Sequence, residues 1–328
     1  MSAAVDQRDQ ACSTLDQHAL SALAGGETDI QALLEAYKRT LFTWVSEQLR
    51  RDLDSTSAEQ WARLFCKAGS PSQSYFLYRT CTGANSSAIL CERLRGSMEA
   101  EIRAFDSGIV LRASVTPWWL EAYFGENAEL LADPMARIDL RNPQAARRAL
   151  ARAHTLLALA WPPALAQVRA TIERVVYYRG QLGGFTGSTP RAFGAVFLTQ
   201  HGLPPAQLAC TLVHETAHHL LHVIRSLSPL HAEPDDTPCF SPFRRETRPL
   251  LGVVHSGYAL ARMIVFLQYA IPHVQGRQRH YALRKLTEYR VCIRDTCKQL
   301  SSVRWTLLGK AAYSFIERHS CLTTGATV

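Results

Sequence analysis

No apolar stretch of the 328-residue chain runs uninterrupted for the ~18–20 residues that a membrane-spanning helix needs. The two longest candidates are Thr155–Ala166, cut by Pro162-Pro163, and Met263–Pro272, cut by Gln268 and closed by its own proline. The opening MSAAVDQRDQ carries acids and lacks the hydrophobic centre of a secretion signal, which predicts a chain that is not exported. No CxxC pair occurs, and the nine cysteines fall at irregular spacings. An odd count without pairs argues against both a disulfide framework and a cysteine zinc site, and predicts free thiols in a reducing compartment. Neither GxGxxG nor Gly-Lys-Ser/Thr is present, so the Gly/Ser/Thr-rich stretch between Arg179 and Gly194 reads as a loop rather than a phosphate cradle. There is no internal repeat, no aromatic platform among the basic residues and no recognisable nucleic-acid module. These absences predict a soluble, cytoplasmic protein with neither a nucleic acid nor a membrane as partner. No feature specifies an oligomeric state.

What is present suits a globular core: 47% of residues are apolar and 20% charged. The net charge of +8, from 36 basic and 28 acidic residues, could favour an acidic peptide, a carboxylate metabolite or a nucleic acid. Its carriers are spread out, as in Arg147, Arg148 and Arg152 and again in Arg277–Arg290, and read as solvated helix faces. Apolar residues at spacings of three and four predict a helix over Asp29–Leu49, with others over Ser57–Cys66 and Ser86–Phe105. The β-branched run Ile109–Val115 predicts a strand, followed by a helix through Trp118–Phe124. Asn142-Pro143 opens a long helix that Pro162-Pro163 closes. A short buried strand at Ala195–Thr199 precedes an apolar helix from Pro204-Pro205 to about Leu227. A loop over Ser228–Pro249 then leads to helices at Leu250–Ala270, Arg277–Leu300 and Val303–His319. The expected organisation is an N-terminal helical region, residues 1–106, and a metal-binding catalytic region, residues 107–328. The expected class is mainly α with a small β-sheet (α+β).

The chemistry concentrates in Leu212-Val-His-Glu-Thr-Ala-His-His-Leu, which contains HExxH. Positions i and i+4 of a helix share a face, so His214 and His218 can direct both imidazoles at one metal ion, with Glu215 beside it. The motif lies among Leu208, Leu212, Val213, Leu220 and Leu221, where unpaired histidines and a glutamate would be costly. His219 and His222 read as ordinary, one turned away and the other at most near the site. Two ligands do not hold a catalytic metal, so a third is required. The long metzincin form is excluded, because Leu221 and Ile224 stand where its glycine and third histidine belong. His255, near the start of the next apolar helix and flanked by Gly252 and Gly257, is the favoured third ligand. A carboxylate from Glu246 or Glu233 is the other option.

Ser241-Pro-Phe-Arg-Arg-Glu-Thr-Arg-Pro supplies Arg244, Arg245 and Arg248 between the two helices. A hydrolytic zinc site needs an activated water and a base, the role open to Glu215, and has no obligate use for arginine. An iron oxygenase that uses 2-oxoglutarate does, since the distal carboxylate of the keto acid calls for a forked cationic donor. Surface charge, or pairing with Asp235, Asp236 and Glu246, is the plainer account of these arginines.

In order, GAVFLT, TLVHETAHH, SPFRRETRPL and GVVHSGY resemble the HExxH-type 2-oxoglutarate-dependent peptide β-hydroxylases of modified-peptide (natural-product) biosynthesis. The resemblance covers residues 194–268 and finds no motif in the N-terminal half. The family's aromatic-Arg, Arg-Pro and downstream histidine fall on Phe243-Arg244, Arg248-Pro249 and His255; Phe243 stands where tryptophan is the family's residue. The resemblance implies Fe(II) rather than zinc, held by His214, His218 and His255. It also implies Arg244 or Arg248 as the binder of 2-oxoglutarate, with O2 as co-substrate. The activity implied is hydroxylation of a β-carbon in a peptide or an amino acid. Glu215 is then a residue beside the metal rather than an obvious base. The implied fold is a zincin-like HExxH helix packed on further helices, not a double-stranded β-helix. A zinc metallopeptidase with Glu215 as general base is the alternative.

Overall fold

In the computed structural model the described residues are 16–25, 30–52, 109–110, 137–138, 143–179, 186–190, 193–198 and 203–320, with the side chains of 44–52, 109–110, 137–138, 143 and 178–179 left aside. They fold as mainly α with small sheets and no closed barrel, so the protein is α+β and not a double-stranded β-helix. The chain divides into two compact units that interleave along the sequence. One comprises Met1–Leu33, Gln144–Thr171 and Gly202–Val328, the other Leu34–Pro143 and Ile172–His201. The boundary expected near residue 106 lies outside the described residues, as do the helices expected over Ser57–Cys66, Ser86–Phe105 and Trp118–Phe124.

The second unit holds most of α2 (Ile30–Asp52), the helix expected from Asp29. It also holds a mixed four-stranded sheet made of β1 (Ile109–Val110), β2 (Arg137–Ile138), β3 (Arg174–Arg179) and β4 (Ala195–Leu198). β3 is its axis. Val175 and Val176 pair in parallel with Ile109 and Val110, and Arg174–Tyr177 pair in parallel with Ala195–Leu198. Arg179 and Tyr178 pair antiparallel with Arg137 and Ile138. β4 is buried along its whole length, as parallel strands covered on both faces are. β3 is absent from the sequence expectation although RVVYYR is rich in β-branched and aromatic residues, the composition of a strand.

The first unit is helical. It begins with α1 (residues 16–23) and continues with α3 (Pro143–Ala160) and α4 (Pro162–Thr171). Pro162-Pro163 both closes one helix and opens the next, since proline fits the first turn, where no partner for its missing N–H is needed. α5 (Pro205–Leu227) begins with proline at its first position and ends where the backbone of Ser228 turns extended and its N–H reaches back to the Ile224 carbonyl. α6 (Leu250–Ala270) follows, then α7 (Gly276–Leu300) and α8 (Leu307–Ser320).

α6 is the axis of this unit, packed against α5, α7 and α8. It is apolar on nearly every side, with Val253, Val254, Leu260, Ile264, Phe266 and Leu267 all buried. A helix hydrophobic all round is either a core helix or a membrane span. Residues Leu250–His273 pass the length and composition test for a span, contrary to the expectation from uninterrupted runs. Their most apolar window is nonetheless 78% buried inside the protein, as in the core helix of a soluble protein. Of the two glycines that flank His255, Gly257 admits a close neighbour. A Cβ there would lie 3.0 Å from Thr296 and 3.2 Å from Ile316, whereas Gly252 has nothing within 4 Å.

The segment 228–249, expected as loop, contains a two-stranded antiparallel hairpin, β5 (Pro238–Ser241) and β6 (Glu246–Pro249), in which Cys239 pairs with Arg248 and Phe240 with Thr247. Its turn is set by Arg245, which takes φ +59° and donates its backbone N–H to the Ser241 carbonyl at 2.7 Å. The Leu250 N–H then reaches the Thr237 carbonyl at 2.8 Å and fixes the hairpin on the first turn of α6.

Candidate metal centre

α5 presents one stripe of polar side chains at helical spacing, His214, His218, His222 and Arg225, on a helix whose other faces are buried among Leu212, Val213, Leu220, Leu221 and Ile224. The first two are one turn apart and meet: His214 Nε2 lies 2.9 Å from His218 Nε2. Two imidazole nitrogens bound at about 2.1 Å to one ion, at right angles, stand about 3.0 Å apart, so the pair is spaced as adjacent ligands are. Glu215 is buried (2% exposed) with Oε1 3.9 Å from His214 Nε2. His214, Glu215 and His218 each offer a ligand atom, and these atoms lie within 4.8 Å of one another.

His255 comes from α6 to the other side of the His218 ring, outside the group formed by His214, Glu215 and His218. Its Nδ1 lies 3.3 Å from His218 Nδ1, and the two rings stack with centroids 5.5 Å apart. His218 therefore faces His214 through Nε2 and His255 through Nδ1. A neutral imidazole has one N–H and one lone pair, so without metal His218 donates one of these contacts and accepts the other. Of the carboxylates weighed as third ligand, Glu233 accepts from the Arg304 backbone N–H at 3.0 Å and from Arg304 Nε at 3.1 Å. Glu246 is exposed, with Oε1 3.7 Å from Arg248 Nε. The carboxylate that stands with the histidine pair is Glu215.

The electrostatics keep His218, His255 and His222 neutral. Burial, reinforced by His214, His255, His219 and Arg248, holds the His218 pKa well below its ordinary value. Burial and the Arg225 charge push His255 down to about 4 against a smaller opposing pull from Asp235. Burial, with His255, His219 and Arg225, takes His222 to about 3. Neutral imidazoles with available lone pairs are the form that ligates a metal. The donor set thus fits a divalent transition ion: imidazoles and a carboxylate, as in non-haem iron and catalytic zinc sites.

The arginines separate by position. Arg248 is half-buried on β6, and its charge is felt at His218. Arg244 is exposed beside the hairpin turn and lies over the Phe243 ring at 5.9 Å. Arg225, not foreseen from the sequence, acts on both His222 and His255 and is ion-paired with Asp235. Asp235 also lies 3.6 Å from Nε2 of the buried His231, whose Nδ1 donates to the Glu233 carbonyl at 2.9 Å. The sequence signal for Arg225 was its spacing, seven residues after His218 on the histidine stripe. His222, read as ordinary, belongs to the same electrostatic cluster.

No protein-family model matches the chain, and no curated protein sequence matches it either.

Proposed function

We propose that the chain is an Fe(II)- and 2-oxoglutarate-dependent oxygenase of the cytoplasm that hydroxylates the β-carbon of an amino-acid residue in a peptide. A free or carrier-bound amino acid is the smaller substrate of the same chemistry. The observation that carries this reading is the meeting of His214, His218 and His255 from two helices, with the charge of Arg248 acting on His218. His214 and His218 would hold the metal from α5 and His255 from α6. His255 would first turn its ring so that it shares an ion with the nitrogens of the other two. Fe(II), with O2 and the keto acid, supplies the oxidising power that breaks an unactivated C–H bond.

This chain's residues do the rest. Burial keeps His218 and His255 unprotonated, so their lone pairs would be open to an ion without competition from protons near neutral pH. Arg248, whose charge acts on His218, is the donor for the distal carboxylate of 2-oxoglutarate, and a guanidinium suits that carboxylate because it offers two parallel N–H bonds. Glu215, buried one residue after His214, positions a ligand or the substrate through a hydrogen bond. The test is reconstitution with ferrous ion under anaerobic conditions, admission of O2, and a count of succinate formed per chain with and without candidate peptides. Succinate formation dependent on iron and O2 supports the reading, and its absence refutes it.

A second reading, a zinc metallopeptidase, is favoured by the buried carboxylate 3.9 Å from His214 Nε2, where a general base would stand. Glu215→Gln decides between the two. Loss of peptide hydrolysis marks the peptidase, and retained keto-acid decarboxylation marks the oxygenase.

A further inference from the structure

One helix carries a large share of the chain's net positive charge. α7 carries seven Lys and Arg against Glu288 and Asp295, a net +5 in 25 residues where the whole chain carries +8. Both acids are already engaged by lysines, Lys285 Nζ at 2.9 Å from Glu288 and Lys298 Nζ at 3.5 Å from Asp295. The arginines Arg277, Arg279, Arg284, Arg290 and Arg294 form no ion pair among the described residues. With 100° between successive residues, Arg277, Arg284 and Arg294 fall on the side away from Ala282, Leu286, Tyr289, Ile293 and Leu300, which pack inward, whereas Arg279 and Arg290 flank the packed side and Arg290 Nε is itself buried. Leu283 and Val291 lie among these arginines and are 40% and 55% exposed.

This arrangement works against the helix's own stability. Arg277 and Arg279 occupy the first turn, which has no acid, although the positive end of a helix dipole favours anions. Arg290 and Arg294, one turn apart, repel. The cationic face also continues past the helix. The Arg245 charge is felt at Cys292 on α7, so the hairpin turn borders this face. Arg244 and Arg245 are both exposed there. Arg245 holds a left-handed backbone, φ +59°, which glycine would adopt without strain. From that turn β6 runs through Arg248 to α6 and His255.

We propose that the outward face of α7, continued by Arg244 and Arg245, docks an acidic segment of the polypeptide substrate whose apolar side chains rest on Leu283 and Val291. The identity of the occupant rests on the peptide-hydroxylase reading, while the binding itself does not. Charge complementarity selects an anionic partner, and the apolar pair among the arginines selects a polypeptide over a uniformly charged polymer.

The test uses the full chain and fluorescence anisotropy of a dye-labelled peptide of glutamates with leucines at helical spacing. Its counterpart has every glutamate replaced by glutamine, and a DNA duplex and phosphatidylserine vesicles serve as competitors. The Glu/Leu peptide is expected to bind about tenfold more tightly than its Gln/Leu counterpart. Arg284→Glu with Arg294→Glu should weaken it about tenfold, and Leu283→Ser with Val291→Ser should weaken it as well. These surface positions leave the fold intact, which circular dichroism checks. Chelation of metal should not change the binding. Equal binding by parent and charge-reversed protein overturns the proposal, as does loss of the peptide to DNA or vesicles at lower competitor concentration. The two readings fail differently. Binding without iron-dependent succinate formation removes the oxygenase, and succinate formation with binding indifferent to these arginines removes the docking face.

Discussion

Gly309 and Gly252 show what one methyl group costs in two surroundings. A Cβ on Gly309 would run into the backbone carbonyl of Leu230 and crowd the Trp305 ring, whereas at Gly252 it would meet nothing within 4 Å. Backbone atoms do not swing aside as a flexible side chain does, so Gly309→Ala should destabilise by about 1–3 kcal/mol. Gly252→Ala should stabilise by about 0.5–1 kcal/mol through helix propensity. Denaturant midpoints measured side by side check both signs. At the candidate centre, His255→Ala is expected to reduce bound iron sharply. Unchanged iron would pass the third position to Glu215. Arg248→Ala should raise the 2-oxoglutarate requirement far more than Arg244→Ala does, because the Arg248 charge acts on His218 while Arg244 lies over Phe243. Equal behaviour of both variants and the parent would refute the keto-acid assignment. His214, Glu215 and His218 were legible because helical periodicity alone brings i and i+4 together. Arg225 and the engagement of Glu233 by Arg304 were not, since residues distant in sequence decide both.

Among the elements, α5 and α6 were read to within a residue because long apolar runs bounded by proline leave little choice of state. The β5–β6 hairpin was missed for a matching reason. Its strands are four residues each, start or end in proline, and are largely exposed, so no apolar alternation advertises them. The attachment of α1 was equally hidden. Arg262 of α6, wholly buried, donates to the Ala22 carbonyl at 3.4 Å, to the Tyr258 hydroxyl at 3.2 Å and to Gln167 Oε1, with Trp161 4.9 Å beneath it. The Tyr258 hydroxyl in turn donates to the carbonyls of Ala22 and Leu23. No carboxylate is among these partners. The negative end of the α1 dipole faces the guanidinium instead. Arg262→Met would take the guanidinium from Gln167 Oε1 at a cost of about 1–3 kcal/mol, while the Ala22 carbonyl keeps the Tyr258 hydroxyl and the Gly25 N–H. Removing residues 1–25 should destabilise through the same contacts. The two changes together should therefore cost less than their sum, and a strictly additive result in a double-mutant cycle would refute the coupling.

For the molecule as a whole, the neutral histidines make stability depend on acidity. His222 and His255 have folded-state pKa values of about 3 and about 4, below the ordinary 6.5, and burial with Arg318 takes His319 to about 4. Above pH 6.5 these groups are neutral in both the folded and unfolded chain, and their contribution is complete. As pH falls from 6.5 towards 4 the unfolded chain takes up protons that the folded chain refuses. Stability is then lost at up to about 1.4 kcal/mol per pH unit for each buried ring. The midpoint of unfolding of the metal-free protein should be level between pH 7 and 8 and decline from about 6.5 downward. A level midpoint down to about pH 4 would contradict the neutral cluster.

The central claim is that the imidazole cluster and its neighbouring guanidinium hold an iron ion and a keto acid together. It is tested most directly by anaerobic titration of the metal-free protein with Fe(II) and 2-oxoglutarate, following the visible charge-transfer absorption of the chelate. The account predicts one iron and one keto acid per chain, with the absorption absent in His214→Ala and shifted to higher 2-oxoglutarate concentration in Arg248→Ala. A chain that binds zinc or iron yet develops no such absorption at any keto-acid concentration would contradict it.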